Sequence, residues 1–182
     1  MASELNTGFP IYVLVYIYIY FRYMKNMEAK QIFWFTSFVI YLFLVIDITI
    51  FPIPTSLERI QYNFIIRDGN SVLDSINLIP NLSLNNILSR NFFLNMVMFA
   101  PFGFLINVIF IESSRFKKTF FGSLMFTLSI ELTQLALLFF TGSFKTVDID
   151  DIVSNILGSL IGLLFFSILF NQIKGDKERK EI

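Results

Sequence analysis

The chain contains no cysteine and no histidine. The first absence removes disulfides and thiol nucleophiles. The second removes Ser-His triads and histidine proton shuttles, and together they remove zinc sites of the usual kinds. Charge is scarce as well: 15% of the 182 residues are charged, against about 25% in a soluble domain. Lys and Arg number 14, as do Asp and Glu, so no net basic field draws nucleic acid to the chain. Any chemistry falls to carboxylates, amides, hydroxyls, Lys or Arg.

What the chain has instead is apolar surface: 55% hydrophobic and 18% aromatic residues, with a mean hydropathy of +0.67. It lies in runs of membrane-helix length, roughly Leu5 to Tyr23, Ile32 to Ile53, Phe92 to Ile111, Thr119 to Phe140 and Ile152 to Phe170. The pattern predicts one integral membrane domain over 1–182, an all-α polytopic helical bundle of about five transmembrane helices. Glu4 precedes the first run, and Arg22, Lys25 and Lys30 follow it, the reverse of a secretory signal. Tyr12, Tyr16 and Tyr20 share a helix face and read as packing or interfacial anchors. Asp47 lies near the end of the second run, to reach headgroups or meet a buried partner.

Five spans with the N-terminus outside place ten of the 14 Lys and Arg on the inner side: Arg22, Lys25, Lys30, Arg115, Lys117, Lys118, Lys174, Lys177, Arg179 and Lys180. The positive-inside rule therefore predicts a C-terminus in the cytoplasm. The long polar segment from residue 54 to 91 is then external. Leu57, Ile60 and Phe64 in it are spaced for one face of an interfacial helix, and Asp68-Gly69-Asn70 reads as a turn. Glu112 to Lys118 reads as a short basic turn on the inner side.

Polar residues inside the last three runs are the candidate site, because an ionisable group in hydrocarbon is costly unless sheltered. Glu131 and Gln134 lie three residues apart, on one helix face. Asp148, Asp150 and Asp151 precede the fifth run, where one serves as an N-cap and another complements the helix dipole. The third needs a positive neighbour: Lys145, Arg90, Arg67 or a bound divalent cation, Mg²⁺ or Ca²⁺, although the spacing is not that of an EF-hand. Asn155 is one turn below Asp151, for an interhelical hydrogen bond or a ligand. Gly158 and Gly162 are spaced for close helix packing. Asn95 and Pro101 mark the third run, whose break is a packing kink or a site opening.

These elements resemble those of the VanZ-like membrane proteins. The resemblance rests on Asn77-Leu78-Ile79-Pro80, on Asn91 to Asn95 through Phe99 to Phe104, and on Ser129-Ile130-Glu131-Leu132-Thr133-Gln134. Asp148-Ile149-Asp150-Asp151 with Asn155, Gly158 and Gly162 completes it, over a core of about residues 76 to 165. The family commonly has an arginine three residues before the first aspartate, where this chain has Lys145, which lacks the two-pronged grip of a guanidinium. The resemblance implies a bacterial cell membrane protein linked to lowered sensitivity to teicoplanin and related lipoglycopeptides.

The expectation is a non-catalytic protein that binds an amphipathic ligand, the lipid-tailed antibiotic or a lipid-linked wall precursor, in an outward polar pocket. Asn95, Glu131, Gln134, Lys145, Asp148, Asp150, Asp151 and Asn155 would line it, in contact with membrane lipid and without a cofactor. This requires Glu131 and Asn155 to share one sheltered hollow. The alternatives are a carboxylate enzyme, metal-dependent, acting on lipid-linked wall substrates, and a small proton-coupled transporter. No complete catalytic motif is present.

Overall fold

The computed structural model describes residues 3–67, 71–81, 83–110 and 114–180, with side chains up to residue 170. The turn expected at Asp68-Gly69-Asn70 and part of the basic turn at Glu112 lie outside the described residues. Among the described residues seven α-helices and four two-residue strands follow in the order β1 (Glu4–Leu5), α1 (Phe9–Ile19), α2 (Ala29–Ile50), β2 (Ile53–Pro54), α3 (Leu57–Ile66), β3 (Ile76–Asn77), α4 (Leu84–Ile87), α5 (Arg90–Ile109), α6 (Arg115–Thr141), β4 (Val147–Asp148) and α7 (Ile149–Lys180). The protein is an all-α polytopic bundle. Among the described residues four helices are long and apolar enough to cross a membrane: α2, α5, α6 and the Ile149–Phe170 part of α7. The first apolar run becomes α1 and a wider π-helical turn, Tyr20–Met24, and this helix is shorter.

Local chemistry sets the helix ends. Ser56 and Ser89 accept hydrogen bonds from the Arg59 and Phe92 amides and so cap α3 and α5. Pro52 and Pro54 close the second run, and α2 stops at Ile50. Gly142 ends α6 in the left-handed conformation, φ 61°, where a side chain would be strained. The expected interfacial helix is α3, amphipathic and ten residues long.

Two strand pairs gather at one end of the bundle. β1 runs antiparallel to β2, with Glu4 opposite Pro54 and Leu5 opposite Ile53. β3 runs parallel to β4, with Ile76 opposite Val147 and Asn77 opposite Asp148. We refer to this as the strand-bearing end.

The apolar core is built from Val45 and Ile50 of α2, Phe99, Phe102 and Ile106 of α5, and Ile130 of α6. Helix α2 is thus part of the core, whereas α1 buries no residue. The tyrosines of the first run pack as anchors: Tyr12 stacks on Phe43 at 4.7 Å, and the Tyr16 hydroxyl meets Thr36. Asp47 takes the partner role, accepting from Thr7 Oγ1 at 2.8 Å and the Gly8 amide at 2.9 Å to hold the start of α1.

Helices α5 and α7 approach closest. A methyl group at Gly158 would stand 2.2 Å from the Met96 carbonyl oxygen, and one at Gly162 1.9 Å from that of Ala100. The small-residue pair therefore brings backbone against backbone. The break at Pro101 is covered on one side by α2, where the Tyr41 hydroxyl donates to the Met98 carbonyl at 2.9 Å. Proline removes an amide donor inside α5, and a neighbouring helix supplies one nearby.

Candidate functional site

The strand-bearing end collects helix termini of both polarities. Helices α5 and α7 begin there, with exposed amides and the positive end of the dipole. Helices α2 and α6 end there, with unpaired carbonyls and the negative end. The side chains sort accordingly. Acids serve the amides, while cations and amide nitrogens serve the carbonyls.

The DIDD element starts α7. Asp148 Oδ1 accepts from the Asp150 amide at 2.9 Å and is the helix cap. Glu131, 5% exposed, reaches across from α6 and accepts from the Asp148 amide at 3.1 Å. Asp148 and Asp151 lie within Coulombic reach of Glu131, and Asp148 and Asp150 within that of Asp151. Among the described residues no cation pairs with them. Each aspartate instead has its own amide donor. Asn77 Nδ2 gives to Asp148 at 3.1 Å, and Asn86 Nδ2 to Asp150 at 2.7 Å. The Asn81 backbone amide also gives to Asp150 at 3.0 Å, and Asn95 Nδ2 to Asp151 at 2.6 Å. Bonds to ionised acceptors are the short, strong ones. The β3–β4 pairing carries this asparagine-rich stretch to the DIDD turn, 71 residues later in the chain.

The cations expected near the aspartates serve the carbonyl ends. Arg67 is 7% exposed and donates through Nη2 to the Ser143 carbonyl at 2.6 Å and through Nε to that of Gly142 at 3.4 Å. Asn63 adds a bond to the Thr141 carbonyl at 3.0 Å, so these two residues hold the end of α6. Lys145 Nζ is 3.5 Å from the Ile48 carbonyl near the end of α2. Burial pushes its ammonium below the ordinary lysine value. Arg90 is exposed.

Of the eight residues expected to line one pocket, the structure brings Asn95, Glu131, Asp148, Asp150 and Asp151 into one corner. Gln134 points to α2 and donates to the Thr49 carbonyl at 3.0 Å. Asn155 sits a turn deeper and donates to Thr127 Oγ1 at 2.8 Å, an interhelical bond. Glu131 and Asn155 thus have different partners, the Asp148 amide and Thr127, and the single hollow expected to hold both is not formed: Asn155 is spent on an interhelical bond one turn deeper. Lys145 belongs to a separate cavity. Asn77, Asn81 and Asn86 complete the corner and were not singled out as site residues. Their signal is the run of asparagines between residues 77 and 95. Among the described residues no group of three or more acids is placed to hold a metal ion.

Below the corner, between α5 and α7, lies an open apolar groove of about 520 Å³. Phe93, Met96, Val97, Pro101 and Phe104 line one wall, and Ile161 and Phe165 the other. Gly162 and Ala100 form its floor, where α7 and α5 touch backbone to backbone. Phe93 to Phe104 spans roughly 16 Å of helix. Asn95, which holds Asp151, is near the upper end of the groove in the chain but does not line it, and it points to the other side of α5 from Phe93 and Val97.

No solved structure matches the chain significantly. The chain is 32% identical over 124 residues to the protein VanZ of Enterococcus faecium, covering 66% of this chain and 71% of that protein. The VanZ/LLP1 family model matches residues 38–170, which takes in the core strands and helices from α2 onward. On that match and that identity, this membrane protein belongs to the VanZ/LLP1 family.

Proposed function

We propose that the protein lowers the sensitivity of bacterial cells to teicoplanin or related lipoglycopeptides by binding an amphipathic ligand without turning it over. The strand-bearing end faces outward in this reading, which the distribution of Lys and Arg supports. The polar part of the ligand meets the carboxylate corner of Glu131, Asp148 and Asp151, which favours hydrogen-bond donors and positive groups. Its acyl chain lies in the groove between α5 and α7. One observation carries the reading: four acids, Glu131, Asp148, Asp150 and Asp151, gather in one corner at the strand-bearing end, and the apolar groove runs along α5 and α7, the two helices that the Asn95–Asp151 bond joins.

A lipid-linked wall precursor has the same two-part chemistry, and the tail is common to both ligands. The test is drug susceptibility of cells producing the wild type, Glu131→Gln or Asp151→Asn, with membrane levels matched by immunoblot. Each variant keeps its hydrogen-bonding shape and loses its charge. Loss of protection in both is expected. Full protection in both would overturn the binding-corner reading.

A further inference from the structure

A second cavity at the strand-bearing end has the opposite character. It encloses about 250 Å³ and is lined by Glu4, Arg59, Asn63, Ser143, Phe144 and Lys145, with two prolines. It lies between the β1–β2 pair, α3 and the segment after α6, away from the aspartates. Two cations and one acid face it. Arg59 Nε pairs with Glu4 at 2.6 Å, and its two terminal nitrogens make no hydrogen bond among the described residues. Lys145 makes no ion pair among the described residues and has only the long contact to Ile48. Asn63 is 3% exposed, and its Oδ1 has no donor among the described residues.

These groups want an anion between the cations and a hydroxyl near the amide. The surroundings are apolar: Phe144 is 57% exposed, and Leu57 and Ile65 of α3 are 77% and 71% exposed. A soluble anion has no use for such a collar, whereas a lipid beside an interfacial helix does. The cavity is also at the level where the apolar helices α2 and α6 end. We propose that it binds the headgroup of an anionic phospholipid, with the phosphate between Lys145 and Arg59 and a glycerol hydroxyl at Asn63. Cationic pockets of this kind recognise phosphate through charge-assisted bonds. The site is independent of the carboxylate corner, and its bound lipid would brace the β1–β2 pair against the end of α6.

The test is native mass spectrometry of the full-length protein in neutral detergent, titrated with short-chain phosphatidylglycerol, short-chain phosphatidylcholine or glycerol phosphate. Phosphatidylglycerol is expected to bind about tenfold more tightly than phosphatidylcholine, a 1.4 kcal/mol preference. Lys145→Gln with Arg59→Gln should abolish that preference, and Lys145→Gln alone, which leaves the Arg59–Glu4 pair intact, should weaken it. Glu4→Gln removes the opposing charge and should raise it. Equal binding of the two lipids, or a preference that survives in the double variant, overturns the proposal. So does glycerol phosphate binding as tightly as the lipid, which would make the cavity a site for soluble phosphate esters.

Discussion

Replacing Asn95 by leucine should destabilise the protein more than replacing its partner Asp151 by asparagine. The Asn95 amide makes the one hydrogen bond received by the Asp151 carboxylate among the described residues, at 2.6 Å. Leucine fills similar space and donates nothing. A half-buried carboxylate is then left unpaired beside Asp148, Asp150 and Glu131. Losing a hydrogen bond to a charged group costs about 1.5–3 kcal/mol, and partial exposure argues for the lower part, about 2 kcal/mol. Asp151→Asn keeps an oxygen acceptor for Asn95. It weakens the bond by about 1 kcal/mol but relieves repulsion from the neighbouring acids, so the net change is within about 1 kcal/mol. For a chain of this length 1 kcal/mol moves Tm by about 2–4 °C. Circular dichroism melts of the purified protein in detergent should therefore drop by about 4–8 °C for Asn95→Leu and by less than about 4 °C for Asp151→Asn. A larger loss in Asp151→Asn would refute the idea that amides, rather than cations, hold the acids.

Gly162→Val forces a side chain into the Ala100 backbone, which cannot yield, and should cost about 3 kcal/mol or more, read as loss of monodisperse protein on gel filtration. Arg67→Met strips the end of α6 of two carbonyl partners and should lower Tm by more than any exposed arginine change, such as Arg90→Met. Thr127→Val leaves the buried Asn155 amide unpaired, at a cost of about 1–3 kcal/mol, whereas adding Asn155→Leu removes both polar groups and should recover much of the loss in the same melts.

The membrane architecture could be read from the chain because its helices are long and nearly free of charge. Asp148 as a cap and the Gly158–Gly162 contact could be read for a different reason: the cap bonds an amide two residues on, and the contact announces itself by the spacing of two glycines four residues apart. The donors to the aspartates could not. Asn77 and Asn86 reach Asp148 and Asp150 only because β3 pairs with β4, a contact without a local signal. The cations were assigned to the acids by charge alone. Arg67 and Lys145 instead meet helix C-termini, whose unpaired carbonyls act as a concentrated partial negative charge. Gln134 shares a helix face with Glu131, yet turns to the end of α2 for the same reason.

The most direct measurement is a binding titration of purified protein in nanodiscs with teicoplanin and with its deacylated form. Saturable binding that needs both the acyl tail and Asp151, and that falls when Phe93 or Val97 is changed to serine, is what the two-part site predicts. Equal binding of the deacylated compound, or undiminished binding by Asp151→Asn, would contradict it.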